Sequence, residues 1–249
     1  MRILLPPSEG KTAPPAGPRL DLAALGFPAL TEPRRLVLGA LADLCRRDPE
    51  GARHRLGLGP SLAEEVRRNA QLPDLPCAPA WQVYTGVLFG ALDLGSLPPR
   101  ARRSAATAVV IASGLFGLVG PDDCIPAYRL PGTVTLPGLA SPKRVWSQAL
   151  GEVLTGMAAD HLIVDLRSQT YGALFRMSTA RWVPIRVMTL REGRAVPVSH
   201  HNKATKGLVA RSLVASGQEP RGPGDIVDLL RAAGWDADLD DGGGVELLT

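Results

Sequence analysis

AVVIASGLFGLVGP, residues 108–121, carries the reading of the fold. Val109, Val110 and Ile111 give it a β-branched apolar run, and the glycines that follow end it, which is the pattern of a buried strand. Two other runs stop in the same way at polar turns. Met1–Leu5 gives way to PPSEGKT, and His161–Leu166 (HLIVDL) gives way to RSQTY. Helical spacing fills the intervals: residues 33–49, closed by Asp48-Pro49; Ser61–Leu72, with Ser61 as N-cap and Glu64 completing a capping box; Val87–Leu94; and residues 142–160, with Pro142 in the first turn. Trp182–Leu190 and Ala195–Ser199 flank Arg191-Glu192-Gly193-Arg194 and read as a β-hairpin. Helices follow over Lys203–Ser216, with Asn202 as N-cap, and over Asp225–Ala233. Residues 13–33 read as an ordered but irregular excursion. The expectation is a mixed α/β (α+β) single compact domain over residues 1–249, a central sheet with flanking helices and at least one hairpin. Residues 236–249 read as a solvated acidic tail ending in a short strand.

The charge is unevenly spread. Asp225 to Thr249 holds seven acids and one base, whereas the residues before it hold 27 bases and 17 acids, so a net +4 conceals a basic body. Such a body favours anionic partners. No apolar run approaches the ~20 residues of a membrane span, and the N-terminal dozen does not read as a secretory signal. Three scattered cysteines, Cys45, Cys77 and Cys124, support neither a disulfide framework nor a zinc or redox pair. The chain is expected to be soluble and cytoplasmic, with no metal and no cofactor. Arginine outnumbers lysine 24 to 4, which makes each lysine worth placing.

The three strand-to-turn junctions are the first candidates for chemistry, because ligands of parallel sheets bind beyond the strand ends. Gly10-Lys11-Thr12 is not a phosphate loop: Leu5 stands where the first glycine is needed, and Pro6-Pro7 remove backbone donors. Gly114, Gly117 and Gly120 follow a strand, but their spacing and the lack of a following acid exclude a dinucleotide fingerprint. In the helix after Asn202, Lys203, Lys206 and Arg211 fall at about 0°, −60° and 80° around the axis, opposite Leu208, Val209 and Leu213. Two lysines in a first turn oppose the helix dipole, and a bound anion would reverse that. The bland alternative is a solvated basic face. His200-His201 point to opposite faces if extended, so they do not form a metal pair.

Several segments in order carry a resemblance: LLPPSEGKT (Leu4–Thr12), VYTGV (Val83–Val87), SGLFG (Ser113–Gly117), AYRL (Ala127–Leu130), Trp146, DLRSQTY (Asp165–Tyr171) and KATKGLVAR (Lys203–Arg211). Together they resemble the YaaA family of peroxide stress proteins, with Phe116 where the family often has Tyr and Gly120 where it has Arg. The resemblance implies a fold peculiar to the family and a cytoplasmic location. It also implies DNA binding through a positively charged cleft with a helix-hairpin-helix element, and a role in lowering unincorporated iron.

The expected function is therefore a cytoplasmic protein of the peroxide stress response. It would bind DNA, independently of sequence, or another phosphate-bearing ligand, through Lys11, Arg129, Lys203, Lys206 and Arg211. The alternative is an enzyme acting on a small nucleotide-like or phosphorylated substrate in a pocket drawn from Ser8, Glu9, Tyr84, Thr85, Ser113, Gly114, Tyr128, Asp165, Ser168 and Tyr171. No catalytic set is assigned from the sequence.

Overall fold

The three apolar runs are strands, and they lie side by side. The computed structural model describes residues 1–175, 179, 181–191, 194–197 and 202–249. Its strands are β1 (Arg2–Leu5), β2 (Ala78–Pro79), β3 (Val109–Ser113), β4 (Gly117–Val119), β5 (Cys124–Ile125), β6 (Ile163–Asp165), β7 (Trp182–Arg191), β8 (Arg194–Pro197), β9 (Asp236–Leu239) and β10 (Val245–Leu248). The helices are α1 (Thr31–Arg47), α2 (Pro49–Arg55), α3 (Ala63–Ala70), α4 (Ala80–Val83), α5 (Val87–Leu92), α6 (Pro99–Ala108), α7 (Pro142–Asp160), α8 (Gln169–Gly172), α9 (Asn202–Ser216) and α10 (Pro223–Ala232).

One mixed sheet runs in the order β4-β3-β1-β6-β7-β10-β9, with β8 pairing β7, while β2 and β5 form a separate antiparallel pair. β1 sits between β3 and β6, parallel to both, with Leu4 opposite Val110 on one side and Asp165 on the other. A parallel strand covered on both faces needs apolar residues in succession, and Ile3, Leu4 and Leu5 are fully buried. The carboxyl ends of β1, β3 and β6 therefore open on the same edge.

The expected hairpin is β7–β8, antiparallel with Thr189 opposite Val196; its turn residues 192–193 and Ser199 lie outside the described residues. Three local expectations are corrected, and one helix is added. No capping box forms at Ser61, because a 3-10 turn spans Pro60–Leu62 and Glu64 pairs with Arg67 instead. α6, too polar for its apolar face to be read, was not anticipated. α9 starts at Asn202 rather than after it. The C-terminal segment is not a free tail: β9 and β10 extend the sheet as a hairpin, with Val245 opposite Leu239, and Asp240 is covered against Arg186, while Asp236, Asp238 and Asp241 stay exposed on it.

Behind the β3–β4 turn, Gly117 has φ +71° and a Cβ on it would lie 2.7 Å from Trp146 Cζ3, so a side chain is barred by both backbone and space. Arg34, fully buried, donates to the carbonyls of Phe116 (3.0 Å), Leu118 (2.7 Å) and Gly26 (2.7 Å), tying α1 to this turn.

Candidate functional site

The loop after β1 folds back onto the segment after α4. Lys11 makes an isolated antiparallel bridge with Tyr84, and Thr12 N donates to Val83 O at 2.9 Å. Ser8 Oγ donates to Gly10 O at 2.6 Å and accepts from Thr85 N at 3.1 Å. These contacts turn the Lys11 side chain inward. Its Nζ donates to Ser8 O at 2.8 Å and Glu9 O at 3.4 Å, and lies 4.2 Å from the Tyr128 ring centre and 5.3 Å from that of Tyr84. Among the described residues no carboxylate comes within ion-pair distance of it. Burial, and then the neighbouring Arg129 guanidinium, lower its pKa from 10.5 to about 7, against weaker opposing fields from Glu65 and Glu9. Two ring faces attract an ammonium by ~0.5–2 kcal/mol, less than removal from water costs it. Amine and ammonium therefore coexist near neutrality.

A chain of hydroxyls starts on the same two rings. Ser113, the last residue of β3, has its Oγ 2.7 Å from Tyr128 OH, which is 2.9 Å from Tyr84 OH. Leu115 N and Phe116 N donate to Ser113 Oγ at 3.1 and 2.9 Å. Both lone pairs of that oxygen are thus used, so its hydrogen goes to Tyr128, and Tyr128 donates onward to Tyr84. The hydrogen at the end of the chain belongs to Tyr84. Burial, above all, raises the pKa of Tyr84, Tyr128 and Tyr171, so all three stay neutral at pH 7.

Arg129 completes this cluster. Asn69, fully buried in α3, brackets its backbone, donating from Nδ2 to Arg129 O at 2.7 Å and accepting from Arg129 N at 2.9 Å. The guanidinium meets Glu9 at 3.0 Å, but that carboxylate side chain is 79% exposed. An ion pair with so solvated a partner contributes ~0–1 kcal/mol and is readily exchanged. Tyr171 packs against Gly132, where a Cβ would come within 2.9 Å of its ring.

The third junction is a closed network instead. Asp165 accepts from Arg167 N, Nε and Nη2 at 3.0, 2.9 and 2.9 Å, and from Trp182 Nε1 at 3.2 Å. Lys206 Nζ donates to the carbonyls of Leu166 (3.0 Å) and Arg167 (3.1 Å). Burial lowers its pKa while Asp165 opposes that. These groups hold the end of β6 to α9.

Of the residues expected from sequence, Ser8, Glu9, Lys11, Tyr84, Thr85, Ser113, Tyr128, Arg129 and Tyr171 gather around one point. Gly114 lies beside it, accepting from Trp146 Nε1 at 3.2 Å. Ser168 precedes α8 without capping it. The shared basic face of α9 is corrected. Lys206 is buried, Leu208 is exposed, and Arg211 donates to Leu92 O, Asp93 O and Ser96 Oγ on the far side, leaving Lys203 exposed. The cause is Gly207: a Cβ there would lie 2.2 Å from Leu88 O, so α9 presses this side onto α5. His200 and His201 lie outside the described residues. Asn69 and Arg167 were missed; Arg167 sits inside the DLRSQTY segment, whereas nothing in α3 distinguishes Asn69.

Among the described residues no helix is long and apolar enough to cross a membrane, and no group of three or more His, Cys, Asp or Glu could hold a metal ion. Fold and site together define a mixed α/β protein with a lysine, arginine and tyrosine cluster at the carboxyl edge of its parallel strands. Residues 1–238 match the model of the peroxide stress protein YaaA family, and the chain belongs to that family. It is similar to a UPF0246 protein of Streptomyces coelicolor, 43% identical over 96% of this chain and 93% of the relative. A UPF0246 protein of Corynebacterium efficiens is 40% identical over 97% and 96% of the two chains. The Corynebacterium glutamicum relative is 39% identical over 94% and 93%.

Proposed function

We propose that this peroxide-stress family member binds a phosphate-bearing ligand at the carboxyl edge of β1, β3 and β6, meeting one or two phosphates rather than a long track. The observation that carries the reading is the pairing of Lys11 with Arg129, whose only ion-pair partner among the described residues is the solvated Glu9 carboxylate. An incoming phosphate replaces that carboxylate and takes a planar, two-pronged donor in return. Lys206 and Arg211 are committed to backbone carbonyls, which removes them from a polymer track.

Duplex DNA is the second reading, favoured by the basic excess before Asp225. It would need the exposed Lys143, Arg144 and Lys203 as further contacts. Calorimetric titration with inorganic pyrophosphate and with a short duplex, across a salt series, separates the two. The compact site predicts a shallow salt dependence and at least a five-fold loss of affinity in Arg129→Gln. A slope equivalent to many phosphates, unaffected by Arg129→Gln, establishes the track instead. Absence of binding by either probe ends both readings.

A further inference from the structure

We infer that Lys11 is an imine-forming lysine, whose amine captures an aldehyde carried next to a phosphate, and that the Tyr84 end of the hydroxyl chain supplies the proton the carbonyl oxygen needs. The inference rests on the phosphate-binding reading above and adds a reaction to it.

Three features of the geometry converge. Nζ is held by two backbone carbonyls and two aromatic faces, with no carboxylate locking it as an ammonium. The charged and titratable groups acting on it are Arg129, Glu65 and Glu9, around the rings of Tyr84 and Tyr128, and the balance lies with burial and Arg129, which disfavour the charge. The hydroxyl chain has a fixed polarity, because the Leu115 and Phe116 N–H groups fill Ser113 Oγ. Its last hydrogen therefore sits on Tyr84, whose ring Nζ lies against. Arg129, anchored by Asn69, stands ready for a phosphate beside the reacting carbon.

The chemistry balances without any oxidant, reductant or cofactor. The amine lone pair forms a C–N bond to the aldehyde carbon, and the carbonyl π pair moves to oxygen, which takes the Tyr84 proton while the Tyr128 hydroxyl, itself held by Ser113, donates to the Tyr84 phenolate. The nitrogen gives up a proton to restore the chain. The resulting hydroxyl takes the Tyr84 proton again and leaves as water while the nitrogen lone pair forms the C=N bond, and the iminium nitrogen returns its proton to the Tyr84 oxygen. One aldehyde and one amine become one imine and one water. Two sources carry this chemistry: a small sugar phosphate in its open aldehyde form, or an abasic deoxyribose flanked by phosphates in a duplex.

The test is reductive trapping on the full-length protein. Glyceraldehyde 3-phosphate, glyceraldehyde, and a duplex with one abasic site are each incubated with it and reduced with borohydride, and the modified peptide is mapped by mass spectrometry. At pH 7 about half of Lys11 is neutral, against about 1 in 3000 for an ordinary lysine. Trapping at Lys11 is therefore expected at least ten-fold faster than at the exposed Lys143 and Lys203, and with a half-maximum near pH 7. Lys11→Arg abolishes it, and Arg129→Gln slows it for phosphorylated substrates only. Whichever phosphorylated probe is trapped faster identifies the source.

Adducts spread over the lysines and the N-terminus, or a half-maximum near pH 10, overturn the inference. If pyrophosphate binds and requires Arg129 but no Lys11 adduct forms, imine formation falls while phosphate binding stands. If glyceraldehyde is trapped at Lys11 as fast as its phosphate, the phosphate-directed substrate class falls. Circular dichroism of Lys11→Arg checks its fold, and the wild-type pH profile decides the matter if that variant does not fold.

Discussion

Replacing Lys11 by methionine should change how stability varies with pH, and the sign follows from the two ends of the titration. In the unfolded chain the amine titrates near 10.5, and in the folded protein near 7. Between those values the unfolded state binds more protons, so wild-type stability rises with pH across that window. Below pH 7 the fold carries the whole burden of a desolvated ammonium. The full drop corresponds to about 5 kcal/mol, and partial solvent access to the half-buried side chain reduces the expected gain to about 2–5 kcal/mol. Lys11→Met carries no such burden, so the variant should exceed wild type at pH 6.5 and approach it by pH 10. Cys45 and Cys77, whose thiols burial pushes up to about 11, act oppositely at the alkaline end. They are present in both proteins and cancel in the difference. Urea unfolding at half-unit pH steps measures that difference. Parallel stability curves would mean that Lys11 titrates as an ordinary exposed lysine, and the reasoning about its amine would fail with it.

Other substitutions probe the scaffold around the site. Gly117→Ala combines a positive φ with collision against Trp146, and should lower stability by about 2–4 kcal/mol, read as a fall in Tm by calorimetry. Arg34→Met strips donors from three carbonyls and should cost about 3–5 kcal/mol in urea unfolding. Tyr128→Phe breaks the hydroxyl chain in its middle, leaving Ser113 without an acceptor and Tyr84 without a donor, for about 1–3 kcal/mol. Tyr84→Phe removes only the chain's end and should cost less; the reverse order would contradict the central place of Tyr128 in the chain.

What could be read in advance was whatever depends on short-range pattern. β1, β3 and β6 announce themselves because strands buried on both faces must be apolar in succession. Their turns meet because parallel neighbours end on the same edge, although nothing in residues 1–113 states that β1 would sit centrally. The contacts that depend on how elements dock were hidden. α9 presented the wrong face on a helical wheel because Gly207 lets it press against Leu88 O, a constraint set by α5 more than a hundred residues earlier. The C-terminal hairpin looked like a free tail because its partner strand β7, which also carries Arg186 to Asp240, is reached only once the sheet closes. Lys11 could be picked out as a rare lysine beside a turn. That its side chain faces inward depends on Ser8, Gly10 and Thr85 stapling the loop.

Lys11 and Lys206 show why burial alone does not define a reactive amine. Both are desolvated, and in both the ammonium hydrogens meet carbonyl oxygens at a strand end. Lys206 also feels Asp165, a carboxylate with a 13% exposed side chain, and a charge shielded so little by water favours the protonated form. Lys11 has only Glu65 and Glu9 to favour its charge, and Glu9 stands in solvent, paired with the Arg129 guanidinium that opposes it. Substitution by arginine separates the two roles. At position 206 a guanidinium would keep the positive charge, so Lys206→Arg should lose stability through its bulk while phosphate binding at Arg129 persists. At position 11 a guanidinium stays charged at every accessible pH, so Lys11→Arg should retain attraction for phosphate yet lose all borohydride-trapped adduct. Equal trapping in Lys11→Arg and wild type would place the reactive amine elsewhere, and retained trapping in Lys206→Arg is required if it is at Lys11.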